Sequence, residues 1–202
     1  MCIRDSLYRE RLGPDHVRVG EAMANLARYQ MEAERPGAAD TLFRGAIAIL
    51  EKIDDRSILL PLARQDHGNL CLDLNRYEEA ETLLLGAAAR LDSSNAAMRP
   101  YWGDNLVARA RLQVRRGRHA AAESLLAAGM RIRREDLAET DASLLDPWLC
   151  AAEIRWLAGQ ADAALELVGR AARCGATDAD VRRYPELLPL RTRPGYPFVS
   201  SP

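Results

Sequence analysis

At 202 residues, 48% hydrophobic but only 5% aromatic, the chain is long enough for one or two domains and too poor in aromatic and β-branched residues to be built mainly of strands. A formal net charge of −1 with 28% charged residues excludes a global electrostatic pull toward nucleic acid or an anionic membrane. Alanine and leucine dominate the apolar set, so an all-α class is expected.

Taken in order, residues 1–6 are read as an artefact. Met1-Cys2-Ile3-Arg4-Asp5-Ser6 back-translates to ATG-TGT-ATA-AGA-GAC-AG, which resembles the transposon end used to prepare sequencing libraries, and such scars are set aside before fold reasoning. Residues 7–16 then read as the end of a truncated upstream repeat. The start lacks a basic-then-apolar secretory pattern, and no apolar run approaches the ~18 residues needed to span a bilayer, so a cytoplasmic setting is the expectation.

From residue 17 onward an internal repeat organises the chain. Four turn segments, Arg35-Pro36-Gly37-Ala38-Ala39, Asn75-Arg76-Tyr77-Glu78-Glu79-Ala80, Gly117-Arg118-His119-Ala120-Ala121-Ala122 and Gly159-Gln160-Ala161-Asp162-Ala163-Ala164, end in alanines spaced 41, 42 and 42 residues apart. Apolar-periodic stretches precede the turns: Met23, Leu26 and Ala27; Gly68, Leu70 and Cys71; Leu106, Ala110 and Leu112; Trp148, Ala151 and Ala152. Second stretches follow them: Phe43, Ala46, Ile47 and Leu50; Leu83, Leu84, Ala87 and Leu91; Leu125, Leu126, Gly129 and Ile132; Leu165, Val168 and Ala171. Such spacing marks amphipathic helices in pairs, predicted over about 17–55, 56–95, 96–137 and 138–176, with a C-terminal cap and tail over 177–202. A small side chain after the turn lets the second helix lie close on the first, so enlarging Ala80 is expected to cost about 1–3 kcal/mol.

The 42-residue spacing, the Leu12-Gly13-Pro14-Asp15-His16 loop, Asn25-Leu26-Ala27 and the Asn75 to Ala80 turn together resemble a tetratricopeptide-repeat (TPR) protein of the kinesin-light-chain type. The resemblance runs from about Leu7 to Cys174. It is clearest in the second repeat and weakest in the third, where Arg109 stands at a usually small position. It implies a right-handed superhelical α-solenoid of about four antiparallel helix pairs whose concave wall, lined by first helices, holds an extended peptide or partner helix. The tail Tyr184-Pro185-Glu186-Leu187-Leu188-Pro189-Leu190-Arg191 is similar to the endings of bacterial signalling proteins, many of them with an upstream serine/threonine kinase domain.

Carried over by register, the family's groove positions fall on Asn25 and Arg28, Gln65 and Asn69, Arg111 and Arg115, and Glu153 and Trp156. Carboxamides suit peptide-backbone clamping because they donate and accept. Two arginines four apart suit an acidic side chain or terminal carboxylate. For Trp156, core and groove remain equal readings.

Between Asn105 and Arg134 eight arginines (109, 111, 115, 116, 118, 131, 133 and 134) face one acid, Glu123, and Glu135, Asp136, Glu139, Asp141 and Asp146 follow without a base. The stretch lacks the aromatics of a nucleic-acid surface, so an arginine-rich face paired with the acidic loop is expected. Of the basic residues only Lys52 is a lysine. Cys2, Cys71, Cys150 and Cys174 are widely spaced, with no C-x-x-C pair and, on this reading, no histidine at ligand spacing, so no metal or cofactor is expected. No phosphate loop or hydrolase, protease or kinase signature occurs. The expectation is a non-catalytic scaffold for a protein or peptide ligand. A substrate-recruiting or regulatory module of a kinase and a homotypic assembly module stand as alternatives.

Overall fold

An antiparallel helix pair joined by three residues needs a left-handed backbone at the bend, and that need is met at four places. Glu34 (φ 55°), Asn75 (φ 59°), Gly117 (φ 69°) and Gly159 (φ 74°) each end a helix. In every case the amide of the left-handed residue donates to the carbonyl three residues back and the next amide to the carbonyl five back, at 2.8 to 3.1 Å. Asparagine and glycine suit this conformation, whereas Glu34 carries the steric cost of its Cβ.

The structure is a computed structural model and describes residues 13–53, 57–134 and 138–198. The artefact assigned to residues 1–6 and most of the segment assigned to an earlier repeat lie outside the described residues. All the regular elements among them are helical. They are α1 (Val17–Glu32), α2 (Pro36–Ile53), α3 (Leu59–Asp73), α4 (Tyr77–Ala88), α5 (Arg99–Arg115), α6 (His119–Arg134), α7 (Leu145–Leu157), α8 (Ala161–Arg173) and the short α9 (Asp178–Arg182), with 3-10 turns at Ala142–Leu144 and Pro185–Thr192. No helix among them is long and apolar enough to cross a membrane.

The chain divides into two units, residues 1–94 and 95–202. In the first, α1 pairs with α2 and α3 with α4, and α3 also packs on α2 and touches α1. In the second, α5 pairs with α6 and α7 with α8, while α7 also packs on α6, α5 and the C-terminal 3-10 turn. Local sequence explains the ends. Pro36 opens α2 where its missing N–H costs nothing, and the His16 side chain caps α1 by accepting from the Arg18 amide at 3.2 Å. Thr177 and Asp180 form a reciprocal capping box at the start of α9.

One register recurs in the second helices. Ala39, Ala80, Ala122 and Ala164 are each the fourth residue of their helix and each fully buried. Buried positions follow four and seven residues later: Phe43 and Ala46, Leu84 and Ala87, Leu126 and Gly129, Val168 and Ala171. Leu83, Leu125 and Leu165, predicted in the same stripe, are half-buried on its flank, and Leu91 is buried beyond the end of α4. First helices α3, α5 and α7 bury residues around most of their circumference, whereas α4 and α8 bury a single stripe.

Gly129 marks a close crossing of α6 on the α5 backbone. A Cβ there would lie 2.9 Å from the Gly103 carbonyl oxygen, which as backbone cannot rotate aside, and 3.0 Å from Val107. Gly129→Ala is expected to lower stability by about 1–3 kcal/mol. Gly169→Ala, in the interior of α8 with nothing within 4 Å of the added carbon, should instead raise it by roughly 0.5–1 kcal/mol. Urea unfolding of both variants checks the contrast, and equal effects would remove the close crossing at Gly129.

Candidate functional site

In the first unit the register places Asn25 and Arg28 on α1 and Gln65 and Asn69 on α3. Arg28 is exposed; it donates to the Asn25 side-chain oxygen and reaches the Asp66 carboxylate at 3.6 Å. Burial pushes the Asp66 carboxyl up to about 6, against the pull of Arg28. Asn25 and Asn69 are half-buried, while Gln65 is buried and its Oε1 has no hydrogen-bond partner. Asp66 was missed, although it stands two residues before Gly68 as Asn25 stands two before Ala27.

In the second unit the corresponding residues are drawn inward. Arg111 is buried, with its guanidinium carbon 4.8 Å from the centre of the Tyr184 ring. Arg115 pairs with the fully buried Glu153 and donates to the Arg183 carbonyl at 3.1 Å. Tyr184 is fully buried, donates its hydroxyl to Asp146 Oδ1 at 2.9 Å, and is flanked by Arg183, whose guanidinium lies 3.5 Å from the same carboxylate. Burial raises the Glu153 carboxyl above its ordinary range despite Arg115. Burial also pulls Asp146 upward, but the charges of Arg183 and Arg111 and the Tyr184 hydroxyl outweigh it and hold Asp146 low. Trp156 is half-buried against the apolar cluster of this unit.

Sequence reasoning placed Arg111, Arg115 and Glu153 on a ligand-facing wall. The first and last are instead interior, and Arg115 is committed to Glu153 and the tail. The closing residues Tyr184 and Arg183 come from the C-terminal cap, whose Val181, Tyr184, Leu187 and Leu190 are fully buried.

In the arginine-rich stretch Arg133 pairs with Asp104 across the α5/α6 hairpin and adds to the lowering of Asp141 that the Ser143 hydrogen bonds dominate, while Arg111 acts with Arg183 and Tyr184 on Asp146, so the following acidic loop takes up part of the stretch's charge. Arg118 and Arg131 are exposed, and Glu135 and Asp136 lie outside the described residues.

The expectation of no histidine at ligand spacing is also corrected. His67 and Cys71 stand four apart on α3, one turn along a single face, and α2 brings Asp40 to them. His67 Nε2 lies 2.8 Å from Asp40 Oδ1. Arg76 pairs with the same oxygen and donates to Cys71 Sγ at 3.2 Å.

No protein family model matches the chain, and no curated protein matches it in sequence.

Removing one member of the buried pair strands the other. Arg115→Ala is expected to cost about 3–5 kcal/mol, whereas Arg115→Met with Glu153→Met should cost much less. A carboxyl whose pKa is raised in the fold loses stability as pH rises through that folded value, so the single variant's deficit should be larger at neutral pH than in acid, where Glu153 is protonated. Urea midpoints at the two pH values check both statements.

Proposed function

We propose that the chain is a TPR-type scaffold that binds an extended peptide or a partner helix and performs no chemistry of its own. Its repeated hairpins belong, on this reading, to a right-handed superhelical α-solenoid of about four helix pairs. The carrying observation is the common register: a left-handed turn residue and, five residues on, a fully buried alanine recur at 41, 42 and 42 residues with the same hydrogen bonds. A repeating hairpin of this kind leaves polar side chains on its first helices that the hairpin itself does not need.

The first unit carries the binding face. Arg28, Asn25 and Asn69 retain solvent exposure there, and these carboxamides and the guanidinium, which Asn25 touches, offer donors and acceptors to a peptide backbone and a charge to an acidic side chain. The second unit's equivalent polar residues hold the C-terminal cap, so their chemistry is already used. Three buried, unbridged cysteines fit a reducing cytoplasmic setting.

Selection of peptides from a random display library against the full chain should yield acidic, extended binders. Arg28→Ala with Asn69→Ala should weaken them about tenfold or more, roughly 1.4 kcal/mol. Equal affinity for parent and variant would move the site elsewhere, and tight, steeply salt-dependent binding of single-stranded RNA in place of peptide would favour a nucleic-acid role.

A further inference from the structure

We infer that Asp40, His67 and Cys71 form a site for a thiophilic divalent metal ion, Zn²⁺ by donor chemistry, in which the Arg76 guanidinium occupies the cation position when no metal is bound. A carboxylate oxygen, an imidazole nitrogen and a sulfur, all within 4.8 Å of one another, make the mixed O, N, S set that zinc accepts, and the His67/Cys71 spacing of four puts both on one helical face. Bonds of about 2.3 Å to sulfur and about 2.0 Å to nitrogen and oxygen set tetrahedral donors roughly 3.5 Å apart, so the triangle closes with about an ångström of side-chain movement. The fourth position falls to water, since Asp40 and Arg76 reach the surface.

Two features prepare the site. The His67 ring stacks on Phe43, with centroids 5.7 Å apart, which fixes the imidazole with Nε2 toward Asp40. Burial pulls the Asp40 carboxyl upward, but hydrogen bonds from Arg76, His67 and Arg44 outweigh it and keep it ionised.

Charge balances across the exchange. With Arg76 in place, and the imidazole counted as uncharged, the cluster holds one carboxylate, a thiol and a guanidinium. When Zn²⁺ enters, the Cys71 S–H bond breaks and its proton goes to solvent, the His67 proton that faces Asp40 moves from Nε2 to Nδ1, zinc bonds form to sulfur, to Nε2 and to the Asp40 oxygen, and Arg76 leaves, so the two charges of Zn²⁺ replace one guanidinium and one proton. Arg76 gives up Asp40 on leaving but keeps a second carboxylate, since Glu79 Oε2 already lies 3.5 Å from its Nε.

The test is titration of the full chain, in a Cys2→Ser background, with Co²⁺ as a spectroscopic substitute and Zn²⁺ as competitor. The parent should show a near-ultraviolet thiolate-to-cobalt band that Zn²⁺ removes. Cys71→Ser should abolish the band, and His67→Gln should weaken binding at least about 10-fold, the loss typical even of outer-shell partners. Arg76→Met keeps every ligand and removes the competing cation, so it should bind more tightly than the parent; misfolding does not mimic that gain. Absence of a band in both the parent and Arg76→Met overturns the inference, as does a band that survives Cys71→Ser. Peptide binding through Arg28 and Asn69 is read separately, so either result can fail without the other.

Discussion

Two helices can lie in close contact only where one of them offers little more than backbone, and the rest of this structure depends on that constraint. Ala27 and Ala39 share a cluster with Phe43 and Leu70, Ala110, Ala122, Ala152 and Ala164 share another, and a side chain at Gly68 would meet Leu84 at 2.9 Å. Close approach shortens the connection to three residues, which forces the left-handed bend. It also turns most of α3, α5 and α7 inward, so that even polar residues such as Gln65 and Glu153 are enclosed.

The fold was legible in the sequence to the extent that it is periodic. Alanines at a constant interval, turn glycines and stripes at helical spacing are local signals, and they mark the helix pairs without reference to anything distant. Glu34 shows the limit even there, since nothing in a glutamate announces a left-handed residue. What could not be read was burial decided by remote partners. Arg111 looks like a solvated helix-face arginine until Tyr184 is laid beneath its guanidinium, and Arg115 until Glu153 is placed opposite. His67 and Cys71 were visible at a spacing of four, but their meaning depends on Asp40, which arrives from another helix.

Charge is used differently in the two units. In the first, Asp40, Arg44, Arg76 and Glu79 form a half-exposed network around a buried imidazole, with several partners available to each group. In the second, Glu153 is wholly enclosed, and its pairing with Arg115 offsets only part of the cost of taking the carboxylate out of water. Networks of the first kind can rearrange around an incoming ion, whereas the second kind fixes one arrangement of the core.

The contact between Arg115 and the Arg183 carbonyl spans 68 residues. During synthesis Arg115 is therefore made well before the residue that accepts its hydrogen bond, and the contact waits for the C-terminal cap. Both units are built from neighbouring helices, but the second also closes on a segment far along the chain, and contacts of such high sequence separation slow folding.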